Sequence, residues 1–149
     1  MSQPERAPAE VEALAETYLL PTYARTKFHP RGGKGARLVD ADGRVYWDLL
    51  GGIAVNALGY QHPKIVAALR DSARSVLHVS NLFYSAPQAE LGERLVKLSG
   101  LSRAFFCNSG AEANEAALKL ARLATPGKSR IVALDGGFHG RTSGAVSLT

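Results

Sequence analysis

Residues 108–115, Asn-Ser-Gly-Ala-Glu-Ala-Asn-Glu, separate a short apolar run from a helical pattern and carry groups that could bind an anion. Ser109 and Glu112 have the capping-box spacing that fixes the start of a helix. Gly110 has no Cβ and Ala111 has only a small side chain, so an anion could approach the positive end of that helix closely. The segment predicts a phosphate site. A well-capped helix without a ligand is the structural alternative.

A second segment, Gly-Gly-Phe-His-Gly-Arg-Thr at residues 136–142, has the groups to hold a planar, carboxylate-bearing ligand. Phe138 could lie against a flat ring, and Arg141 could bind a carboxylate through two hydrogen bonds. The flanking glycines would let the backbone approach a ligand closely. The alternative is a flexible loop with a partly buried Phe138 and an exposed Arg141.

Other common site chemistries fit the chain less well. Gly110 is the only glycine in its turn and no Gly-Lys-Ser/Thr follows, so a nucleotide-binding glycine loop is disfavoured. Cys107, the single cysteine, is expected to be a small buried thiol at a strand end. A cysteine hydrolase is a weaker alternative, because no histidine stands nearby in the sequence to act as its base. One cysteine and four dispersed histidines give no metal-ligand spacing, so no metal is expected.

The two segments are brought together if residues 103–134 form a βαβ unit. Apolar runs at 103–107 and 130–134 predict parallel strands, and the pattern over 110–124 predicts the helix between them. The loops that follow the two strands would then lie at one edge of the sheet, where α/β proteins bind ligands. Residues 144–148 are expected to begin a third strand.

Simpler patterns precede this unit. We expect a helix over 8–19, a loop over 20–35, a β-hairpin turning at Asp42 and Gly43, and amphipathic helices starting at Pro63 and Ser85. Ser85 and Gln88 have a second capping-box spacing.

Composition narrows the class of protein further. The 149 residues are 46% hydrophobic, and no apolar run approaches the roughly 20 residues of a membrane span. The first residues resemble neither a secretory signal nor a transit peptide, so a cytoplasmic protein is expected. The net charge is +5, but no recognition helix or stacking platform accompanies the basic residues at 25–37. A basic rim for small anions, or a solvated loop, is favoured over a nucleic-acid partner.

Several of these motifs, in this order, resemble the class III, pyridoxal-phosphate-dependent aminotransferases, and within them the acetylornithine aminotransferase group. The resemblance covers about Tyr23 to Thr149. Tyr60 departs from it, because the family commonly has His there. The motifs that carry it are Gly33-Lys-Gly-Ala-Arg-Leu-Val-Asp40, Asp42-Gly-Arg-Val-Tyr46, Gly51-Gly-Ile-Ala-Val-Asn56, His78-Val-Ser-Asn-Leu-Phe-Tyr84, Phe105-Phe-Cys-Asn-Ser-Gly-Ala-Glu-Ala-Asn-Glu115 and Phe138-His-Gly-Arg-Thr142.

The resemblance implies an α/β fold of the aspartate aminotransferase-like type, fold type I, truncated within the large domain. Residues 1–60 would be the helix, loop and hairpin segment of the small domain, and 61–149 the start of the large cofactor domain. It also implies a homodimer, with 81–84 near the contact. The composition and motifs described above give the expectation of no membrane or nucleic-acid partner.

Site roles follow from the resemblance residue by residue. The amides of Gly110 and Ala111, with Ser109 beside them, would hold the phosphate of pyridoxal 5'-phosphate. Phe138 would stack on the pyridine ring, and Arg141 would bind the amino acid's α-carboxylate. The resemblance also implies that Tyr23 and Ile53 lie near the substrate side chain, and Asn114 and Glu115 are expected to face the neighbouring loop or the dimer contact.

The implied reaction moves the terminal amino group of N-acetylornithine to 2-oxoglutarate, in arginine and lysine biosynthesis. The resemblance also implies that the Schiff-base lysine and the acid that pairs with the pyridine nitrogen lie beyond residue 149. Lys119 does not substitute for that lysine, because it lies roughly 13 Å along the helix from Gly110. The isolated chain is therefore expected to be inactive. Alternatives are another class III ω-aminotransferase, acting on ornithine, 4-aminobutyrate or succinyl-diaminopimelate, and a non-catalytic module that binds a phosphate-bearing ligand.

Overall fold

The computed structural model describes residues 6–149, which divide into two compact units on either side of the bond between His78 and Val79. The boundary expected between residues 60 and 61 concerns the domains of a whole enzyme and stays a prediction. In chain order the elements are α1 (Pro8–Tyr18), β1 (Pro30–Lys34), β2 (Arg37–Asp40), β3 (Val45–Trp47), α2 (Pro63–Arg74), α3 (Ala86–Ser99), α4 (Gly110–Ala124) and α5 (Ser143–Val146).

The first unit contains an antiparallel sheet in the order β1-β2-β3. The hairpin between β2 and β3 confirms the prediction from Asp42 and Gly43, and Gly43 has the left-handed φ of +81° that such a turn requires. Asp40 closes the turn, since its Oδ1 accepts hydrogen bonds from the amides of Asp42 and Arg44 at 2.9 and 2.8 Å. The hydroxyl of Tyr46 donates to the other carboxylate oxygen at 3.0 Å.

Strand β1 corrects the expectation of a loop over 20–35. Proline and glycine have low strand propensity, so its sequence, Pro-Arg-Gly-Gly-Lys, gives little local indication of a strand. Pairing with β2 decides the conformation instead, with Lys34 opposite Arg37 and Pro30 opposite Asp40. The register shifts between Pro30 and Gly32, which places a bulge at the outer end of the edge strand, where proline is tolerated.

Helices α1 to α4 occur where the sequence predicts them. Proline occupies the first turn of α1, α2 and α3, where its missing N–H costs no helical hydrogen bond. The expected capping box at Ser85 is wrong in its chemistry, because the Ser85 side chain makes no capping hydrogen bond. Helix α3 ends at Gly100, whose φ of +70° closes the last turn.

The second unit, from Val79 to Thr149, corrects the expected βαβ unit. Residues 103–107 and 130–134 pair with no strand among the described residues, and residues 143–146 form the short helix α5 instead of a third strand. Apolar β-rich composition indicates where a strand can form, but a ladder also needs a neighbouring strand to share its hydrogen bonds. Helix α4 between the two segments is as predicted.

Few side chains in this structure are buried. Within the described residues, Asp40, Gly140 and Ala145 are buried, and the large apolar side chains of α2 and α3 are mostly exposed. Among residues 6–149, no helix is both long enough and apolar enough to cross a membrane.

Candidate functional site

The start of α4 is fixed by a capping box that the sequence predicts correctly. Ser109 is extended, with φ −153° and ψ 160°, and its Oγ accepts the amide hydrogen of Glu112 at 3.2 Å. The Glu112 carboxylate reaches back and accepts the amide hydrogen of Asn108 at 2.7 Å. The box therefore closes one residue further upstream than the usual pattern, in which the carboxylate bonds the N-cap amide.

Two backbone amides at this helix end, those of Gly110 and Ala111, have no acceptor within the helix. The first N–H groups of any α-helix lack an intrahelical partner, and the amides of Glu112 and Ala113 are here bonded to Ser109. A Cβ added at Gly110 would meet nothing within 4 Å. The helix end thus faces open space, and the partial positive charge of the helix dipole lies behind it.

The segment 138–142 packs directly against this helix end at Gly140. Gly140 is buried and has a φ of +126°, a conformation that L side chains rarely adopt. A Cβ at Gly140 would lie 2.7 Å from the Cβ of Ala111 and 3.1 Å from that of Ala145. A glycine is therefore required for so close an approach of the two backbones.

Asn114 and Glu115, on the next turn of α4, bond the same segment. The side-chain amide of Asn114 donates to the carbonyl of His139 at 2.6 Å. The Glu115 carboxylate accepts the amide hydrogens of Gly144 at 2.8 Å and Ala145 at 3.3 Å. Both residues thus face the neighbouring loop, one of the two roles expected for them.

These contacts change the acidity of Glu115. A hydrogen bond from the Thr142 side chain, and then those from the amides of Gly144 and Ala145, lower the pKa of Glu115 below its ordinary value of 4.5. Partial burial acts in the opposite direction, and the positive charge of Lys119 adds to the lowering. The carboxylate is consequently ionised at neutral pH.

The two segments line one cavity of about 490 Å³. Arg141 lies over the ring of Phe138, with its Cζ 5.2 Å from the ring centroid, and Phe138 is 67% exposed rather than partly buried. The guanidinium of Arg141, the ring of Phe138 and the N-terminal end of α4 therefore line the same cavity. The lining residues are Gly110, Ala111, Asn114, Phe138, His139, Gly140, Arg141 and Thr142.

Five of the seven residues predicted for the site lie in this second unit. Gly110, Ala111, Phe138 and Arg141 line the cavity, and Ser109 immediately precedes its lining as the N-cap of α4. The convergence of the two segments thus occurs as expected, although the part of the chain that the structure describes contains no parallel sheet to produce it.

Tyr23 and Ile53, the other two predicted residues, lie in the first unit. Tyr23 lines a separate cavity of about 440 Å³ beside α1, where the Glu12 carboxylate is 2.9 Å from Nε2 of His29 and 3.4 Å from Nζ of Lys27. The hydrogen bond with His29, and then the interactions with Lys27, lower the pKa of Glu12 against the effect of partial burial.

Ile53 belongs to a left-handed turn. Gly51, Gly52, Ile53 and Ala54 have successive φ values of +56°, +64°, +58° and +65°. The Ile53 side chain is 82% exposed. A β-branched residue in this backbone conformation is strained, and such strain persists where the surrounding structure imposes it.

Two further residues differ from, or add to, the expectations. Cys107 is exposed, so the expected buried thiol is wrong. Residues 103–107 pair with no strand within 6–149, and the Sγ of Cys107 donates to the carbonyl of Ser109 at 3.3 Å. Tyr60, the departure from the family pattern, donates its hydroxyl to Asp48 at 2.6 Å. That hydrogen bond raises the pKa of Tyr60 and lowers the pKa of Asp48.

The sequence does not indicate Gly140 as a packing residue, and it places Asn114 and Glu115 toward the neighbouring loop or the dimer contact without indicating which atoms they bond. Glycines on both sides of His139 indicated only that backbone could approach a ligand. Asn114 and Glu115 are on the face of α4 that turns toward the segment, but their partners are 25 to 30 residues away in sequence. Local periodicity carries no information at that separation.

Comparison with solved structures gives the class of fold, that of the pyridoxal-phosphate-dependent α/β aminotransferases. Over 96% of this chain, the structure superimposes with a TM-score of 0.87 on ornithine aminotransferase from Toxoplasma gondii, at 28% identity, and covers 35% of that chain. It matches taurine:2-oxoglutarate aminotransferase from Bifidobacterium kashiwanohense, which was solved in complex with pyridoxal phosphate and glutamate, with a TM-score of 0.86. That match has 29% identity and covers 96% of this chain and 33% of the other. The α/β fold expected from the resemblance is confirmed.

The sequence defines the family. Residues 21–149 match the family described as aminotransferase class-III, and the chain belongs to that family, whose cofactor is pyridoxal 5'-phosphate. An acetylornithine aminotransferase from Myxococcus xanthus is 51% identical over 140 residues, covering 91% of this chain and 35% of the relative. N-acetylornithine aminotransferase from Stenotrophomonas maltophilia matches at 42% identity with a TM-score of 0.75, covering 86% of this chain and 35% of that one. The chain spans about a third of the length of these relatives.

Proposed function

We propose that this chain supplies the cofactor-phosphate and α-carboxylate sites of an aminotransferase that moves the terminal amino group of N-acetylornithine to 2-oxoglutarate. The observation that carries the proposal is the single cavity formed by the end of α4 and residues 138–142. Its support in sequence is the 51% identity to the Myxococcus xanthus acetylornithine aminotransferase. The whole reaction needs a lysine that bonds the cofactor aldehyde, and we propose that this lysine lies outside these residues.

The cavity fits pyridoxal phosphate. Open space at the Gly110 Cβ position leaves room for a phosphate group against the amides of Gly110 and Ala111, and a dianion there meets the positive end of the α4 dipole. Ser109 holds those amides in place through its hydrogen bond with Glu112. Phe138 offers the face of its ring that Arg141 does not cover to the pyridine ring.

Arg141 gives the site its charge selectivity. A guanidinium presents two parallel N–H donors to a carboxylate, and its position over Phe138 limits the directions that the fork can take. An amino donor bound through its α-carboxylate would then extend its side chain away from Arg141. We assign the contacts with that side chain to Tyr23 and Ile53, in accordance with the family pattern.

Bound pyridoxal phosphate would supply an electron sink for the carbanion that forms at the carbon bearing the transferred amino group. The residues of this chain would anchor the phosphate, cover one ring face and hold the substrate carboxylate, so that the reacting carbon has one orientation. We also propose a homodimer in the cytoplasm, with residues 81–84 close to the subunit contact. The exposed side chains of Leu82, Phe83 and Tyr84 support that placement.

A second candidate is another ω-aminotransferase of the same class. It is favoured by the TM-score of 0.87 with an ornithine aminotransferase. The proposed site would bind the shared α-carboxylate in either case, so the choice of amino donor depends on contacts with the substrate side chain.

The test is a steady-state assay of the full-length protein that contains these residues. Glutamate formed from 2-oxoglutarate is measured with N-acetylornithine, ornithine, 4-aminobutyrate or succinyl-diaminopimelate as the donor, in the presence of pyridoxal phosphate. We expect the highest kcat/KM with N-acetylornithine. A higher value with ornithine would establish the second candidate, and cofactor binding without turnover of any donor would favour a non-catalytic module.

A further inference from the structure

Helix α4 is bonded to the chain on both sides of Arg141. Asn114 holds the carbonyl of His139, two residues before Arg141, at 2.6 Å. Glu115 holds the amide of Gly144, three residues after it, at 2.8 Å. The backbone that carries the guanidinium is therefore attached at two points to the helix whose first amides form the proposed phosphate site.

The attachment leaves little room for adjustment. A Cβ at Gly140 would approach the Cβ of Ala111 to 2.7 Å, and a Cβ at Gly144 would overlap the carboxylate of Glu115. Close packing of this kind fixes the distance between two segments, since either would have to move before the other could shift.

The chemistry of the second attachment requires a carboxylate. Glu115 accepts from the Thr142 side chain and from the amides of Gly144 and Ala145, all of which are donors. Hydrogen bonds to an ionised acceptor are about twice as strong as those between neutral groups. An amide side chain at this position would keep the shape but would replace one acceptor oxygen by a donor.

We propose that Glu115, supported by Asn114, is a positioning residue that sets where Arg141 stands relative to the phosphate-binding end of α4. The proposal rests on the proposed role of Arg141 in binding the substrate carboxylate. A bound cofactor is fixed by its phosphate and a bound substrate by its carboxylate, so the spacing between the two anchors decides how the reacting carbon meets the cofactor. Glu115 would control that spacing without touching either ligand.

A double-mutant cycle in the full-length enzyme separates this role from a general effect on the fold. Glu115→Ala is made in the parent and in the Arg141→Ala background, and KM and kcat for the amino donor are measured in all four proteins. In the parent we expect Glu115→Ala to raise KM by about tenfold to a hundredfold, since a displaced guanidinium loses charge-assisted hydrogen bonds to the substrate carboxylate. In the Arg141→Ala background we expect no further rise, because the group that Glu115 positions is gone.

Two companion variants keep the result interpretable. Glu115→Gln preserves the shape of the side chain and is expected to give a smaller rise in KM, again only when Arg141 is present; it also serves if Glu115→Ala does not fold. The matched control is Glu93→Ala, which removes a helix glutamate from α3 that is paired with Lys97 at 2.6 Å. We expect Glu93→Ala to leave KM unchanged.

The outcomes distinguish the inference from the function on which it rests. Equal increases in KM from Glu115→Ala in both backgrounds would overturn the positioning role, and so would an unchanged KM in the parent. If Arg141→Ala itself leaves KM unchanged, the carboxylate assignment of Arg141 is wrong. Increases confined to the parent background support the proposal.

Discussion

Gly140→Ala tests the packing that brings the two halves of the site together. The added Cβ would lie 2.7 Å from the Cβ of Ala111, whereas carbon atoms in ordinary contact are about 3.5 Å apart. Helix α4 and segment 138–142 must then separate by about 0.8 Å, which is enough to cost between ~10-fold and ~10²-fold in kcat/KM if the two segments hold one substrate–cofactor pair.

The matched control for this change is Gly136→Ala. Gly136 also has a positive φ, +72°, but a Cβ there meets nothing within 4 Å. Gly136→Ala carries the cost of a positive φ without a steric contact, whereas Gly140→Ala adds the contact with Ala111 and a φ of +126°, which lies outside the left-handed region that alanine can adopt. The assay is steady-state transamination by the full-length enzyme, with cofactor content measured on the same samples. Equal kcat/KM values for the two variants would refute the argument that this contact sets the geometry of the site.

Four further outcomes are expected. Arg141→Ala should raise KM for the amino donor about tenfold to a hundredfold with the cofactor retained, since a hydrogen bond to a charged group contributes about 1.5–3 kcal/mol. Arg141→Lys should recover part of this loss, and unchanged kinetics in Arg141→Ala would remove Arg141 from the site. Gly110→Val should weaken pyridoxal phosphate binding, because the valine side chain would occupy the open space assigned to the phosphate, and the protein should remain folded because a Cβ there meets no protein atom within 4 Å. Retention of cofactor through dialysis equal to that of the parent would contradict the phosphate assignment. Ile53→Gly should raise the free energy of unfolding by about 1 kcal/mol, because glycine relieves the backbone strain of the positive φ at this position. Val55→Gly, at an equally exposed position without a positive φ, should not raise it, and equal effects of the two changes in chemical denaturation would exclude strain at Ile53. The lowered pKa of Glu115 contributes stability that is present above pH 4.5 and is lost as the pH falls through the folded-state pKa. In Glu115→Gln the denaturation midpoint should therefore depend less on pH across that range. An unaltered pH dependence would argue against the hydrogen bonds at this carboxylate.

The elements that the sequence predicts correctly are those determined by nearby residues. Helix α4 follows from Ser109 and Glu112, which lie within one turn of each other, and the β2–β3 hairpin follows from Asp42 and Gly43. In each case the side-chain hydrogen bonds that fix the cap or the turn join residues at most four positions apart. Propensity and spacing are then sufficient.

The errors arise where distant parts of the chain decide the structure. Strand β1 forms from Pro-Arg-Gly-Gly-Lys only because β2 pairs with it, and the apolar segments 103–107 and 130–134 form no strand because none of the described residues pairs with them. Cys107 is exposed for the same reason, since its burial was inferred from a strand.

The candidate site could be predicted as a set of residue types but not as a geometry. Gly110, Phe138 and Arg141 have chemistry that is apparent from their identity, and the structure brings them to one cavity. The contact of Gly140 with Ala111 and the hydrogen bonds of Glu115 depend on how two segments about 30 residues apart pack together. Spacing along the chain does not encode those distances.

The central claim is that one cavity anchors a cofactor phosphate through α4 and a substrate carboxylate through Arg141. The most direct test is a crystal structure of the full-length protein with pyridoxal phosphate and glutamate bound. The account predicts phosphate oxygens within hydrogen-bond distance of the amides of Gly110 and Ala111, and the glutamate α-carboxylate paired with the guanidinium of Arg141. A phosphate bound elsewhere, or a carboxylate held by a different cation, would contradict it.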